Sequence, residues 1–153
     1  MKKFVALALA VTATWAQAQT YPGSKPITLV VPFAAGGPTD RVARDLGEAM
    51  RKVMGGQANF VVDNVNGAGG TIGAAKVAKA APDGHTLLVH HIGMAAAPVL
   101  YRKLPYKVLE DFEFIGMINE VPMTLIGKPD LPANTYRDFE NYIRANEIGR
   151  AHV

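Results

Sequence analysis

The sequence predicts an α/β domain: a mostly parallel sheet with helices on both faces. Three observations carry that expectation. Ile27-Thr28-Leu29-Val30-Val31 is a nearly unbroken apolar and β-branched run, the pattern of a strand covered on both sides. Strand-like and helix-like stretches then alternate, which is the signature of βαβ units. The chain also has no cysteine, so its fold is held by an apolar core and not by disulfides.

Each element has its own justification. After the first strand, Pro38 or Thr39 opens a helix that runs to Met54. Val42, Leu46, Met50 and Val53 recur at helical steps and predict its buried stripe. Proline is tolerated in a first turn, where its missing N–H has no partner to lose, and Gly55-Gly56 is a helix stop. Asn59 to Asn64 reads as the second strand, Asn66 to Gly70 as a loop, and Thr71 to Ala81 as an alanine-rich helix ended by Pro82-Asp83-Gly84. Thr86 to His90 is the third strand, followed by a short helix in the region of Met94 to Leu100. Phe114 to Val121 and Met123 to Gly127 read as fourth and fifth strands, and Asn134-Thr135 can cap a final helix from Tyr136 to Asn146.

The two ends carry separate messages. Met1-Lys2-Lys3, the apolar run from Phe4 to Ala13 and the small-x-small triplet Ala16-Gln17-Ala18 predict a secretory signal peptide over residues 1–18, cleaved after Ala18. The run is shorter than the roughly 20 residues that a bilayer-spanning helix needs. The expected product is an exported, soluble chain in the periplasm. Without Lys2 and Lys3, 14 basic residues face 13 acidic ones, and the formal net charge falls from +3 to +1. No basic block or aromatic-interleaved basic stripe marks a nucleic-acid surface, so nucleic acid is not expected as a partner. At the other end, Glu147-Ile148-Gly149-Arg150-Ala151-His152-Val153 has the sequence of a common sequencing adapter translated in one frame. Residues 147–153 are therefore expected to be foreign, and the natural protein longer.

Function follows from the loops. In an open α/β sheet, ligands bind beyond the carboxyl ends of the strands. The three loops there, Pro32 to Asp40, Val65 to Thr71 and His90 to Met94, all contain glycine. Glycine lets the backbone approach a ligand, and free N–H groups at a helix start favour an anion. The loops therefore predict capture of a small, negatively charged molecule by main-chain amides. A dinucleotide fold fits poorly: the stretch Gly67 to Gly73 has Ile72 where G-x-G-x-x-G requires glycine, and no G-x-x-x-x-G-K-[ST] loop is present. Catalysis lacks a constellation, since Ser24 is the mature chain's only serine and stands outside any G-x-S-x-G elbow. His90 and His91 are adjacent on a strand end and point to opposite faces, which argues against a metal site. No enzyme activity, cofactor or metal is expected. Asp40 is readable either as a helix-start carboxylate or as a ligand contact.

The stretches YPGSKPITLVVPFAAGGPTDRVAR, NGAGGTIGAAKVAKAAPDGHTLL and LPYKVLEDFEFIGMI together closely resemble the Bug-type receptors. These are extracytoplasmic solute-binding proteins of tripartite tricarboxylate transporters, and the resemblance runs from about Tyr21 to Asn146. It implies a clamshell protein of the type II periplasmic-binding class, of which this chain holds the first domain over residues 19–122. Residues 123–146 would then contain a hinge strand and the start of a truncated second domain. The resemblance further implies a small carboxylate ligand: a di- or tricarboxylate, an acidic amino acid or an aromatic acid. Membrane permease subunits would be the partners of the closed form, or a signalling partner if the module senses its ligand instead. Carried over by position, Phe33, Ala34, Gly36, Gly37, Thr39 and Asp40 are the first ligand-contacting segment, and Gly69, Gly70 and Thr71 the second. Two departures stand out. Asn64-Val65-Asn66 replaces the usual Asn-Arg-Pro, and His90-His91-Ile92-Gly93 replaces small polar residues. One histidine, taken as His91, either faces the cleft and narrows the ligand choice, or the pair is simply one buried and one solvated ring.

Overall fold

A computed structural model describes residues 21–146. The signal segment with its cleavage site and the 147–153 tail lie outside the described residues. No helix among the described residues is long and apolar enough to cross a membrane. The described residues form two compact units that part between Phe114 and Ile115.

The first unit is built on strand β1, Ile27–Val31, in which only Thr28 is less than fully buried. It lies between β2, Phe60–Asn64, and β3, Thr86–Leu88, in a three-stranded parallel sheet of order β2-β1-β3. Ile27 pairs with Phe60 and Val31 with Asn64 on one side, while Thr28 to Val30 pair with Thr86 to Leu88 on the other. Alternation along β1 then assigns its faces. Ile27, Leu29 and Val31 join Ala43, Val89 and the partly buried Phe60, Val62 and Leu87 in one core cluster. Val30, on the opposite face, is equally buried, so both faces of the sheet are covered.

Helix α1, Pro38–Val53, covers the first face. Its buried line is Ala43 and Gly47, with Asp40 one turn earlier, whereas the expected Val42, Leu46 and Met50 are only half-buried and Val53 is 88% exposed. The small residues explain the shift. A Cβ at Gly47 would lie 3.1 Å from Phe60 Cβ and 3.4 Å from Leu29 Cδ1, so the helix backbone itself rests on the sheet and the larger side chains flank the contact. The helix ends as expected: Gly55 and Gly56 adopt positive φ, and Gly56 N–H donates to the Arg51 carbonyl.

Helix α2, Thr71–Ala78, follows a single 3₁₀ turn at Ala68–Gly70. It meets the other face through Gly73, where a Cβ would lie 2.7 Å from Pro32 Cβ. It stops three residues before the expected Ala81, since the Ala80 amide closes a tight turn onto the Val77 carbonyl. Helix α3, Gly93–Leu100, completes the unit.

Three further departures concern strands. The third strand ends at Leu88 and not at His90; one more ladder bond, Val89 N–H to the Val30 carbonyl, closes the pairing before the chain turns. The expected strands Phe114 to Val121 and Met123 to Gly127 are absent from the described residues, so the sheet has three strands and not five. A strand exists through its neighbours' hydrogen bonds. Residues 115–127 have no such neighbour among the described residues, and their apolar side chains are exposed, Ile126 to 88%. In the second unit, helix α4, Tyr136–Asn146, starts where the sequence reading placed it. Thr135 Oγ1 accepts the Asp138 N–H at 3.1 Å, the N-cap bond that the Asn134-Thr135 pair announced.

Candidate functional site

The chain leaves the buried end of β1 through Pro32 and Phe33 and reaches α1 at Pro38. Between them Ala34 to Gly37 make a tight loop held from behind by Asp40. Asp40 is 2% exposed, and its carboxylate accepts four hydrogen bonds. Gly36 N–H and Arg44 Nε donate to Oδ2 at 2.8 and 2.9 Å; Arg44 Nη2 and Asn64 Nδ2 donate to Oδ1, both at 3.0 Å. Asn64 Nδ2 also donates to the Phe33 carbonyl at 3.1 Å. One carboxylate thus ties the loop, the first turn of α1 and the end of β2 together. The Arg44 guanidinium, then the Gly36 amide and the Asn64 amide, hold the Asp40 carboxyl well below the usual carboxylate range.

This arrangement settles how the two glycine amides are used. The Gly36 N–H is committed to Asp40 and the Gly37 N–H to the Ala34 carbonyl at 3.3 Å, so neither is the bare donor that the sequence reading expected. The donors left over are one step further on. Thr39 and Asp40 occupy the first turn of α1, where no preceding helical carbonyl exists to accept their amides, and the chain's first return bond is Arg41 N–H to the Gly37 carbonyl. The positive end of the helix dipole adds to them.

The third loop supplies the opposite wall. The His91 ring stacks on Phe33, with centroids 4.3 Å apart and planes 15° from parallel. His90 meets the same ring edge-on at 5.3 Å. His90 Nδ1 accepts the His91 N–H at 2.8 Å, and burial lowers the His90 pKa from its ordinary value. His91 is the exposed member of the pair. Phe33, Ala34, Gly37, Pro38, Thr39 and His91 line a pocket of about 340 Å³.

The second glycine loop is placed differently. Gly70 is buried, and a Cβ there would lie 2.9 Å from His90 Nε2 and 3.2 Å from Phe33 Cζ. A Cβ at Gly69 would collide with the Tyr101 hydroxyl. Thr71 is buried and donates its hydroxyl to the Ala68 carbonyl at 2.9 Å.

The structure therefore brings five of the ten expected residues to one pocket: Phe33, Ala34, Gly37, Thr39 and His91. Gly36 and the Asp40 carboxylate are framework of the loop, while Gly70 packs against Phe33 and His90, Gly69 against Tyr101, and Thr71 bonds the Ala68 carbonyl. Sequence reasoning missed Pro38 as a wall, and Arg44 and Asn64 as the partners of Asp40. A signal for Asn64 existed: an asparagine closes the strand Phe60–Asn64 at the carboxyl end of the sheet.

Residues 42–150 match the family described as tripartite tricarboxylate transporter family receptor. A UPF0065 protein of Agrobacterium vitis is 48% identical over 146 residues, covering 94% of this chain and 42% of that protein. The solved structure of the periplasmic binding protein BugD is 48% identical with a TM-score of 0.62, over 79% of this chain and 40% of that one. MatC from Rhodopseudomonas palustris, solved with bound malate, is 41% identical with a TM-score of 0.67, over 79% and 41% of the two chains. The chain thus spans about two fifths of the length of the relatives it matches.

Proposed function

The chain belongs to the tripartite tricarboxylate transporter receptor family, and on that premise we propose that its first unit is one wall of a periplasmic carboxylate-binding site. The ligand is a small organic anion, for which a dicarboxylate of the size of malate is the first choice. Phe33, Ala34, Gly37, Thr39 and His91 touch it, together with the main-chain amide of Asp40. Gly36 and the Asp40 side chain hold the loop in shape, and Gly70 packs closely against the rings of Phe33 and His90.

The observation that carries this reading is the pocket's position. It opens where β1 ends and α1 begins, with the Thr39 and Asp40 amides unmatched by the helix and the dipole's positive end behind them. A carboxylate placed there accepts two main-chain donors without displacing any internal bond. Capture on this wall comes first. A second wall then closes over the ligand, and the closed form delivers it to permease subunits. No bond is made or broken in the ligand.

Titration of the purified chain with malate, followed by calorimetry or amide NMR, tests the reading. The expected result is saturable binding that shifts the Thr39 and Asp40 amide resonances. Binding is weak, because one wall contributes to it. Amide shifts confined to regions away from residues 33–40, or no saturable response to malate and to a range of other di- and tricarboxylates, would overturn it.

A further inference from the structure

We infer that His91 is the specificity-determining residue of this pocket, donating its Nε2–H to a second carboxylate on the ligand and so selecting diacids over monoacids. The inference rests on the carboxylate-site reading above and adds to it which part of the ligand is read by a side chain.

Four observations carry it. First, of the six residues lining the pocket, only Thr39 and His91 have side chains with a hydrogen to donate; Phe33, Ala34, Gly37 and Pro38 have none. Second, the imidazole is fixed in place. It lies flat on Phe33, and Phe33 is itself held by Asn64 through its carbonyl. A donor that is already oriented loses little freedom on binding. Third, its tautomer is set. His91 Nδ1 accepts the Gly93 N–H at 2.9 Å, so the proton of the neutral ring sits on Nε2. Residue 93 has to be small for that bond to close, since a Cβ there would lie 2.8 Å from His91 Cε1 and 3.1 Å from Nδ1. Fourth, Nε2 has no partner among the described residues, whereas the neighbouring His90 is half-buried with its Nδ1 bonded to the His91 backbone. The pocket therefore offers two separate sets of donors. The first-turn amides of α1 serve one carboxylate, and a preset imidazole N–H across the pocket serves another.

The test compares malate with lactate, which keeps the hydroxy acid and lacks the second carboxylate, by NMR titration of the purified wild-type chain, His91→Phe and His91→Gln. His91→Phe keeps a ring to stack on Phe33 and removes both nitrogens; His91→Gln keeps a donor near the Nε2 position. The wild-type chain should prefer malate. His91→Phe should reduce that preference on the order of 10-fold or more, weakening malate far more than lactate, the effect of losing one hydrogen bond to a charged group. His91→Gln should restore most of it. Equal loss of both acids in His91→Phe, or an unchanged preference, overturns the role of His91 and leaves the carboxylate site standing. Failure of the wild-type chain to bind either acid overturns both readings. A long-range ¹H–¹⁵N correlation spectrum of the histidine rings gives an independent check. It should show the Nε2–H form for His91, and an Nδ1–H form would refute the assignment.

Discussion

Two glycine-rich loops stand side by side at the carboxyl end of the sheet, and they use glycine for opposite purposes. In the loop from Pro32 to Asp40, Gly36 has φ +81° and nothing within 4 Å of where a side chain would go, and Gly37 lines the pocket. Glycine there keeps space open. In the loop from Gly67 to Thr71, a side chain at Gly67 would strike Ile72, at Gly69 the Tyr101 hydroxyl, and at Gly70 both His90 and Phe33. Glycine there admits other residues' side chains. The lesson is that a glycine-rich loop announces a close approach without saying whether a ligand or the protein itself makes it.

Substitutions at these glycines would break or sharpen the contrast. The largest effect is expected for Gly70→Ala. Its φ of +95° is unfavourable for alanine, and the new methyl group meets two packed rings, so unfolding stability in urea should fall by about 2–4 kcal/mol. A neutral result would mean that the rings yield freely and that the two loops are alike. Next comes Asp40→Asn, which leaves the residue's shape and removes the charge that Arg44, Gly36 and Asn64 converge on. The melting midpoint at neutral pH should drop by several degrees.

The pH dependence of this pair gives a sharper measurement. The folded Asp40 pKa is depressed, so the unfolded chain binds its proton first and the carboxylate's contribution is fully present above the ordinary value near 3.8. It is lost as pH falls below that value toward the folded pKa. Between neutral pH and about pH 4 the wild-type excess over Asp40→Asn should stay constant, and in more acid solution it should shrink. An excess that grows on acidification would contradict the bonded carboxylate.

Gly36→Ala should cost only about 1 kcal/mol, the backbone strain of a positive φ with no collision added. The smallest change in stability is expected for Gly37→Ala, about 0.5 kcal/mol or less, since its φ of −72° suits any residue and its Cβ would press only on the Ala34 carbonyl at 3.2 Å. Gly37 lines the pocket, however, and malate binding should weaken several-fold. Loss of binding at Gly37 with stability kept, set against loss of stability at Gly70, is the comparison in its clearest form.

The sequence made the βαβ frame legible because β1 is apolar on both faces and α1 carries its stops, Pro38 and Gly55-Gly56, in the open. It also located the pocket, since strand ends and glycine coincide there. The use of each group was not legible. Whether the Gly36 amide faces a ligand or Asp40 depends on a side chain four residues away, and Asn64 reaches Phe33 across 31 positions. The buried line of α1 was misread because bulk marks a hydrophobic stripe, whereas Ala43 and Gly47 make the contact by being small. Residues 115–127 have strand composition, yet composition supplies no hydrogen-bonding neighbour.

Arg44, which fastens Asp40, has a side chain 54% exposed and does not line the cavity. The pocket is thus bolted from outside. A reagent that modifies arginine, or a residue that competes for that guanidinium, would loosen Phe33 and the rim of the cavity without ever entering it, and occupancy by the ligand would offer that arginine no shelter.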